Sequence, residues 1–209
     1  ATARSGQFEW TAEPPLRIQG DRDGVVFDRL VATDGDARME VTGRWAAPGG
    51  FYDFSAHAER LDLGRLGLPL DWGVGGDASV RLVVSGSSGA PEWTFEGSCS
   101  RPAFQGHAAD SLTMSLGGRM HRLDVRDLRY HLDGGTLAAS ASVERTVKAW
   151  PDSLTGTALL RWLQDAGTWQ GRLEAKRLPL DRLGTVANQA AGWGGVLDGT
   201  LAIAGSPAQ

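Results

Sequence analysis

The sequence predicts an all-β fold: an elongated antiparallel sheet curled into an open groove, with one or two short helices. Three observations support this prediction. Apolar and polar residues alternate with a period of two over most of the 209 residues, which is typical of half-buried strands. Glycine is abundant, with 29 residues against 9 prolines, and no long helical pattern occurs. One segment of the chain is also present twice.

The repeated segment is ERLDLGRL at residues 59–66, which recurs as KRLPLDRL at residues 176–183, 117 positions later. Each copy is followed by a spacer that contains a tryptophan, and then by an alternating segment bounded by glycines. These alternating segments run from Gly76 to Gly86 and from Gly195 to Gly205. Self-similarity at a fixed period is typical of repeat architectures, so the repeat has to be accounted for before the fold is assigned.

The offset between matched residues changes along the repeat. Leu128 matches Leu30 at an offset of 98, whereas Leu173 matches Ala56 at an offset of 117. The difference of 19 predicts an insertion near residues 144–168, with an extra strand at 157–162. We therefore expect one continuous groove, cut from a longer repeat-bearing protein. Its predicted division is a partial first unit at residues 1–60, a second unit at 61–177 and the start of a third at 178–209.

Local departures from alternation predict bulges and helices. The apolar phase slips by one residue near Asp28-Arg29 and again near Arg126-Asp127. A β-bulge absorbs one extra residue in this way and bends the strand. Leucines spaced by three or four residues predict short helices at Leu63–Leu70 and Leu180–Ala191.

The totals limit the classes of function. A net charge of −4 argues against nucleic acid or anionic lipid headgroups as the main partner. Cys99 is the only cysteine, so the sequence holds neither a disulfide framework nor a thiolate metal cluster. The four histidines lack metal-ligand spacing, and the serine-glycine run at residues 85–89 is typical of a hairpin loop. We expect no enzymatic activity, no metal and no cofactor.

The apolar face of such a sheet must be covered, and two solutions remain open. Composition alone favours a closed β-sandwich, in which two apolar faces pack together. The solenoid-like repeat and the lack of a long capping helix favour a trough that leaves an apolar channel for a ligand. We expect alternate residues of successive strands to line that channel; they are Trp10, Phe27, Leu30, Phe54, Leu82, Val84, Trp93, Val125, Leu128, Tyr130, Leu201 and Ile203.

The two glycine-bounded strands resemble the repeating units of the TamB and AsmA-like family. The first copy, GDASVRLVVSG, leads to Ala90-Pro91, and the second, GVLDGTLAIAG, leads to Ser206-Pro207. The spaced leucines of LDLGRL and LPLDRL resemble the stretch that precedes them in that family. The tryptophan-rich composition and the 19-residue insertion depart from a plain repeat.

The resemblance implies a taco-shaped sheet whose apolar groove carries phospholipid acyl chains between inner and outer membranes, or supports outer-membrane assembly. It implies the periplasmic part of an envelope-spanning protein anchored in the inner membrane. The partners implied are phospholipid acyl chains and outer-membrane assembly proteins, with no nucleic acid.

Eight tryptophans keep a second hypothesis open, a carbohydrate-binding or structural β-sandwich module. An exposed planar row of rings would favour sugar stacking. We interpret Trp10, Trp45, Trp93 and Trp169 instead as residues that pack on the apolar face, because aromatic rings bury a large apolar area.

Overall fold

A computed structural model describes residues 2–5, 8–15, 17–22, 24–47, 49–65, 74–104, 107–119, 121–144, 167–180, 182 and 194–206. Their regular structure is one 14-stranded sheet and one 3₁₀ turn at Leu63–Arg65. The strands are β1 (Thr2–Ser5), β2 (Phe8–Ala12), β3 (Ile18–Asp21), β4 (Gly24–Asp34), β5 (Ala37–Ala46), β6 (Phe51–Asp62), β7 (Gly75–Ser87), β8 (Ala90–Phe104), β9 (His107–Ala108), β10 (Ser111–Arg119), β11 (Arg122–Leu132), β12 (Gly135–Glu144), β13 (Thr168–Pro179) and β14 (Val196–Gly205).

The sheet is open and antiparallel. Its strand order is β1-β2-β4-β5-β6-β7-β8-β10-β11-β12-β13-β14, with β3 paired to β4 and β9 paired to β8. Within the described residues, substantial contacts join only hydrogen-bonded neighbours and the 3₁₀ turn to β7. No second layer therefore covers the sheet in this part of the chain. The predicted all-β open groove is confirmed, and the closed β-sandwich is not the fold that these strands form.

The internal repeat is visible in the strand registers. Strands β4 to β7 and β11 to β14 pair in the same way at the offsets read from the sequence. Leu30 pairs with Val41, and Leu128 pairs with Ala139. The equivalence of the four-strand sets is therefore structural. The boundaries of the three predicted units stay a prediction, because most of the insertion at 144–168, including the predicted strand at 157–162, lies outside the described residues.

Both predicted bulges are present. The β4–β5 register shifts between Phe27 and Leu30, and the β11–β12 register shifts between Val125 and Leu128. The shift returns the apolar residues on each side of the bulge to one face, as the phase slips required.

Two further bulges explain the repeated segment itself. The register shifts between Ala58 and Leu61 in β6, and between Ala175 and Leu178 in β13. The arginine of each copy adopts a left-handed backbone, with φ of 53° at Arg60 and 50° at Arg177. Non-glycine residues rarely adopt this conformation. The leucine after each arginine then points into the apolar side and is buried.

The helix predictions are tested only at their starts. The period-two alternation of apolar residues breaks at Leu61 because of the bulge, and the strand continues to Asp62. The Leu63–Leu70 prediction is described only at Leu63–Arg65, which form a 3₁₀ turn. Of Leu180–Ala191, only residues 180 and 182 are described, both with helical backbone.

In each copy of the repeated segment, an arginine forms an ion pair with an aspartate at the β4–β5 or the β11–β12 hairpin. Arg65 Nη2 lies 2.6 Å from Asp34 Oδ2, at the end of β4. Arg182 Nε lies 2.6 Å from Asp133 Oδ2, in the β11–β12 turn. The two pairs occupy matching places, so the second arginine of each repeated segment is held at the β4–β5 or β11–β12 hairpin.

Candidate apolar binding face

One side of the sheet carries apolar residues in continuous rows across ten strands, from β4 to β14. We call this side the apolar face. Residues that are cross-strand partners share a face, so the pairing registers define the rows directly. The first row, from β4 to β14, is Phe27, Gly43, Phe54, Val84, Trp93, Gly118, Leu123, Val143, Trp169 and Gly205, and the second row is Leu30, Val41, Ala56, Leu82, Phe95, Leu116, Val125, Ala141, Gly171 and Ile203. The third row is Ala32, Met39, Ala58, Val80, Gly97, Met114, Leu128, Ala139, Leu173 and Leu201. The fourth row begins at β6 and is Leu61, Ala78, Cys99, Leu112, Tyr130, Leu137, Ala175 and Gly199.

Every predicted lining residue lies on the apolar face. Trp10 precedes the rows on β2, where Ala12 pairs with Ala32 and therefore shares its side. The others are Phe27, Leu30, Phe54, Leu82, Val84, Trp93, Val125, Leu128, Tyr130, Leu201 and Ile203. The prediction left out several central residues of the same rows, although the alternation that marks them is present in the sequence; these are Val41, Phe95, Met114, Leu116 and Leu173.

The rows contain no charged side chain. Burial raises the pKa of the Cys99 thiol, with a smaller contribution from Asp77. Burial also raises the pKa of the Tyr130 hydroxyl, with a smaller contribution from Asp110. Both groups are neutral in the physiological range because each shift is upward from an already high pKa. An apolar guest would therefore meet no ionised group along the rows.

Burial is strongest along one long edge of the apolar face. The bulges turn Leu61 and Leu178 inward there, and Leu178 is the only large side chain less than 2% exposed in the described residues. Leu82, Phe95, Leu116 and other central residues are only half-buried. In a closed sandwich the central rows would be the most deeply buried. Here they form the half-buried floor of the curled sheet, and their members on β14 are exposed.

Two tryptophan rings lie against a glycine of the neighbouring strand on the apolar face. The indole of Trp93 lies against Gly118, and that of Trp169 lies against Gly205. A Cβ at either glycine would overlap the ring, so the pairs require glycine for close approach. A second aromatic group surrounds Trp45, whose ring centroid lies 5.1 Å from that of Tyr52 and 5.4 Å from that of Phe54.

The opposite face is polar and charged. Arg29 and Glu40 form an exposed ion pair there, with Nε and Oε1 at 3.1 Å. The hydrogen bond from Arg29 lowers the pKa of the Glu40 carboxyl. Similar exposed pairs join Arg119 to Glu92 and Arg122 to Asp124. Such pairs each contribute little to stability, so they serve mainly to keep this side in water.

The described residues offer no cluster of three or more His, Cys, Asp or Glu side chains that could hold a metal ion. No helix in this part of the chain is long and apolar enough to cross a membrane. His121 lies in the turn before β11, and its buried Nδ1 has no hydrogen-bond partner.

Comparisons of the chain with protein-family models, with curated proteins and with solved structures found no match.

Proposed function

We propose that the chain binds lipid acyl chains on its apolar face and serves as a lipid-transfer segment. The observation that supports this most strongly is an uncharged apolar surface across ten strands with no second layer over it in the described residues. Monomeric soluble proteins rarely expose apolar patches of more than a few hundred Å², and larger ones mark interaction sites.

The dimensions suit an acyl chain. Ten strands at ~4.8 Å spacing give a length of about 43 Å, and four rows at ~6.7 Å give a width of about 20 Å. One leaflet of a bilayer holds acyl chains within about 15 Å of hydrocarbon depth. A phospholipid tail therefore fits along or across the strands, and several tails fit on one face.

The energetics favour a surface of this kind over a specific pocket. Each methylene left in water costs about 0.8 kcal/mol, so a 16-carbon chain costs roughly 12 kcal/mol when exposed. An apolar floor removes most of that cost by contact alone. The polar headgroup stays in water at the open side, so one surface accepts lipids that differ in headgroup, and no catalytic residue is needed.

The setting of this activity follows from the resemblance in the glycine-bounded strands and spaced leucines. On that basis the chain is the periplasmic part of an inner-membrane-anchored protein, and it carries phospholipid between inner and outer membranes or supports outer-membrane assembly. Its partners are phospholipid acyl chains and outer-membrane assembly proteins. It acts without enzymatic turnover or a cofactor.

A carbohydrate-binding module is the second candidate. The observation that favours it is the exposure of two rings, Trp45 at 46% and Trp169 at 37%. The indole of Trp169 lies against Gly205. The two rings do not form a row, however, because Trp45 is on β5 and Trp169 is on β13, with six strands between them.

Tryptophan quenching separates the two functions. Vesicle-derived phospholipid with brominated acyl chains should quench the fluorescence of the wild-type protein, because Trp45, Trp93 and Trp169 lie on the apolar face. Trp93→Phe should lose part of the quenchable signal. Brominated lipid without effect would contradict the proposal, and quenching by soluble glycans alone would favour the carbohydrate module.

A further inference from the structure

The turn between β5 and β6 is apolar, although hairpin turns are usually rich in polar residues. Its sequence is WAAPGGFY at residues 45–52, a stretch with three aromatic rings and no charge. We call these residues the aromatic tip. Two of its rings are exposed, Trp45 at 46% and Phe51 at 69%. Both neighbours of this hairpin in the sheet, β4 and β7, are described, so the exposure does not come from an unpaired strand edge.

The rings of the aromatic tip lie on both sides of the hairpin. Trp45 and Tyr52 lie on the apolar side, with ring centroids 5.1 Å apart. Phe51 lies on the polar side, where it pairs with Ser87 of β7. A protein that docks on one side of the hairpin would leave the rings of the other side in water. The interface of a bilayer surrounds an inserted tip and covers both sides, and tryptophan and tyrosine are enriched at that level of a membrane.

Several polar backbone groups of the aromatic tip already have hydrogen-bond partners in the protein. The Gly50 amide donates to the Ala47 carbonyl at 2.9 Å, and the Gly50 carbonyl accepts from the Ser88 amide at 2.8 Å. The Gly49 amide donates to Ser88 Oγ at 2.7 Å. Backbone groups without partners are costly among lipid chains, where water cannot replace the missing bonds. The turn that follows β7 therefore lowers the cost of placing the tip in a membrane interface.

We propose that the aromatic tip anchors the chain in the interface of a phospholipid bilayer and passes lipid from there to the apolar face. The passage of lipid rests on the proposed acyl-chain binding, whereas the anchoring does not. Edge-to-face ring contacts lead from the tip into the first row, with Trp45 to Phe54 at 5.4 Å and Phe54 to Phe27 at 6.1 Å. The charges that bound the tip on the two strands, Arg44 and Asp53, are opposite in sign and are cross-strand partners. The contact therefore depends on the rings and does not need anionic lipid.

Phe51→Asp tests the anchoring without changing the apolar face, because Phe51 lies on the other side of the sheet. Its affinity for phosphatidylcholine vesicles should fall by about tenfold or more, since a charge replaces a buried aromatic ring. Its binding of cis-parinaric acid, a fluorescent fatty acid, in solution without vesicles should equal that of the wild type. The matched control is Ser55→Asp, which adds the same charge on the same side of β6 away from the tip and should bind vesicles normally.

Co-sedimentation with vesicles gives the affinities, and circular dichroism confirms that the three proteins are folded. A wild type that binds the fatty acid but not the vesicles overturns the anchoring and leaves acyl-chain binding standing. Vesicle binding that survives Phe51→Asp also overturns it. A wild type that binds vesicles through Phe51 but takes up no fatty acid supports the anchoring and contradicts the proposed function. If the wild type ignores vesicles and forms a dimer that Phe51→Asp abolishes, the tip is a contact between two copies and the proposal is wrong.

Discussion

An arginine at Leu128 should abolish acyl-chain binding and leave the sheet folded. Leu128 lies in the third row of the apolar face, between Met114 and Ala139, and is half-buried. A guest chain would have to displace or desolvate the guanidinium, and an unpaired charge in an apolar site is costly. We expect lipid affinity to fall by at least about tenfold, equivalent to ~1.4 kcal/mol. Folding survives because the long side chain can reach water at the open side of the sheet.

The control introduces an arginine on the opposite face of the sheet. Ala138→Arg places the guanidinium on the polar side of β12, one residue from the partner of Leu128, and should leave lipid binding unchanged. Leu82→Arg repeats the test in the first copy, with Val83→Arg as its control. Thermal unfolding and bound phospholipid are measured for all four. If Leu128→Arg and Leu82→Arg stay folded and bind as much phospholipid as the wild type, the apolar face is not the binding site. If both variants unfold, the apolar face is a covered core.

Gly43→Ala should cause the largest loss of stability of any small substitution in the first copy. Gly43 pairs with Phe27 beside the β4 bulge and has a φ of 103°, which only glycine adopts readily. An added Cβ would overlap the backbone carbonyl of Asp53 in β6. Strained backbone and a clash with main chain together should lower the free energy of unfolding by about 3 kcal/mol or more.

Two comparisons isolate the cause of that loss. Gly199→Ala on β14 adds the same methyl group where nothing lies within 4 Å, and it should change the free energy of unfolding little. The residue equivalent to Gly43 in the second copy is Ala141, so a Cβ is accepted there. Urea unfolding gives the three free energies. A Gly43→Ala protein as stable as the wild type would mean that the β5–β6 pairing differs from the one described.

Much of the fold could be predicted because period-two alternation reports the face of each residue directly. The phase slips at Asp28-Arg29 and Arg126-Asp127 could be predicted because the apolar residues before and after each slip alternate with a period of two. The bulges at Arg60 and Arg177 were missed. There the strand is about to end, and the leucines that follow at Leu63, Leu66 and Leu70 match a helical spacing.

The openness of the sheet could not be read from alternation. A half-buried strand has the same pattern whether its apolar side meets a second sheet or a ligand, since both exclude water. Composition favoured the closed sandwich for this reason. What decides against it is the set of contacts, because substantial contacts among the described strands join only hydrogen-bonded neighbours. Which residues lie on the apolar face could be predicted, but the pairs of tryptophan with glycine could not, since each joins residues from different strands.

Mass spectrometry of material extracted from the purified protein tests the central claim most directly. If the apolar face holds acyl chains, the wild-type protein and the Ala138→Arg protein should carry phospholipid or fatty acid through purification, and the Leu128→Arg protein should carry much less. Wild-type protein that remains folded but retains no acyl lipid, and that takes up none when mixed with phospholipid vesicles, would contradict the account.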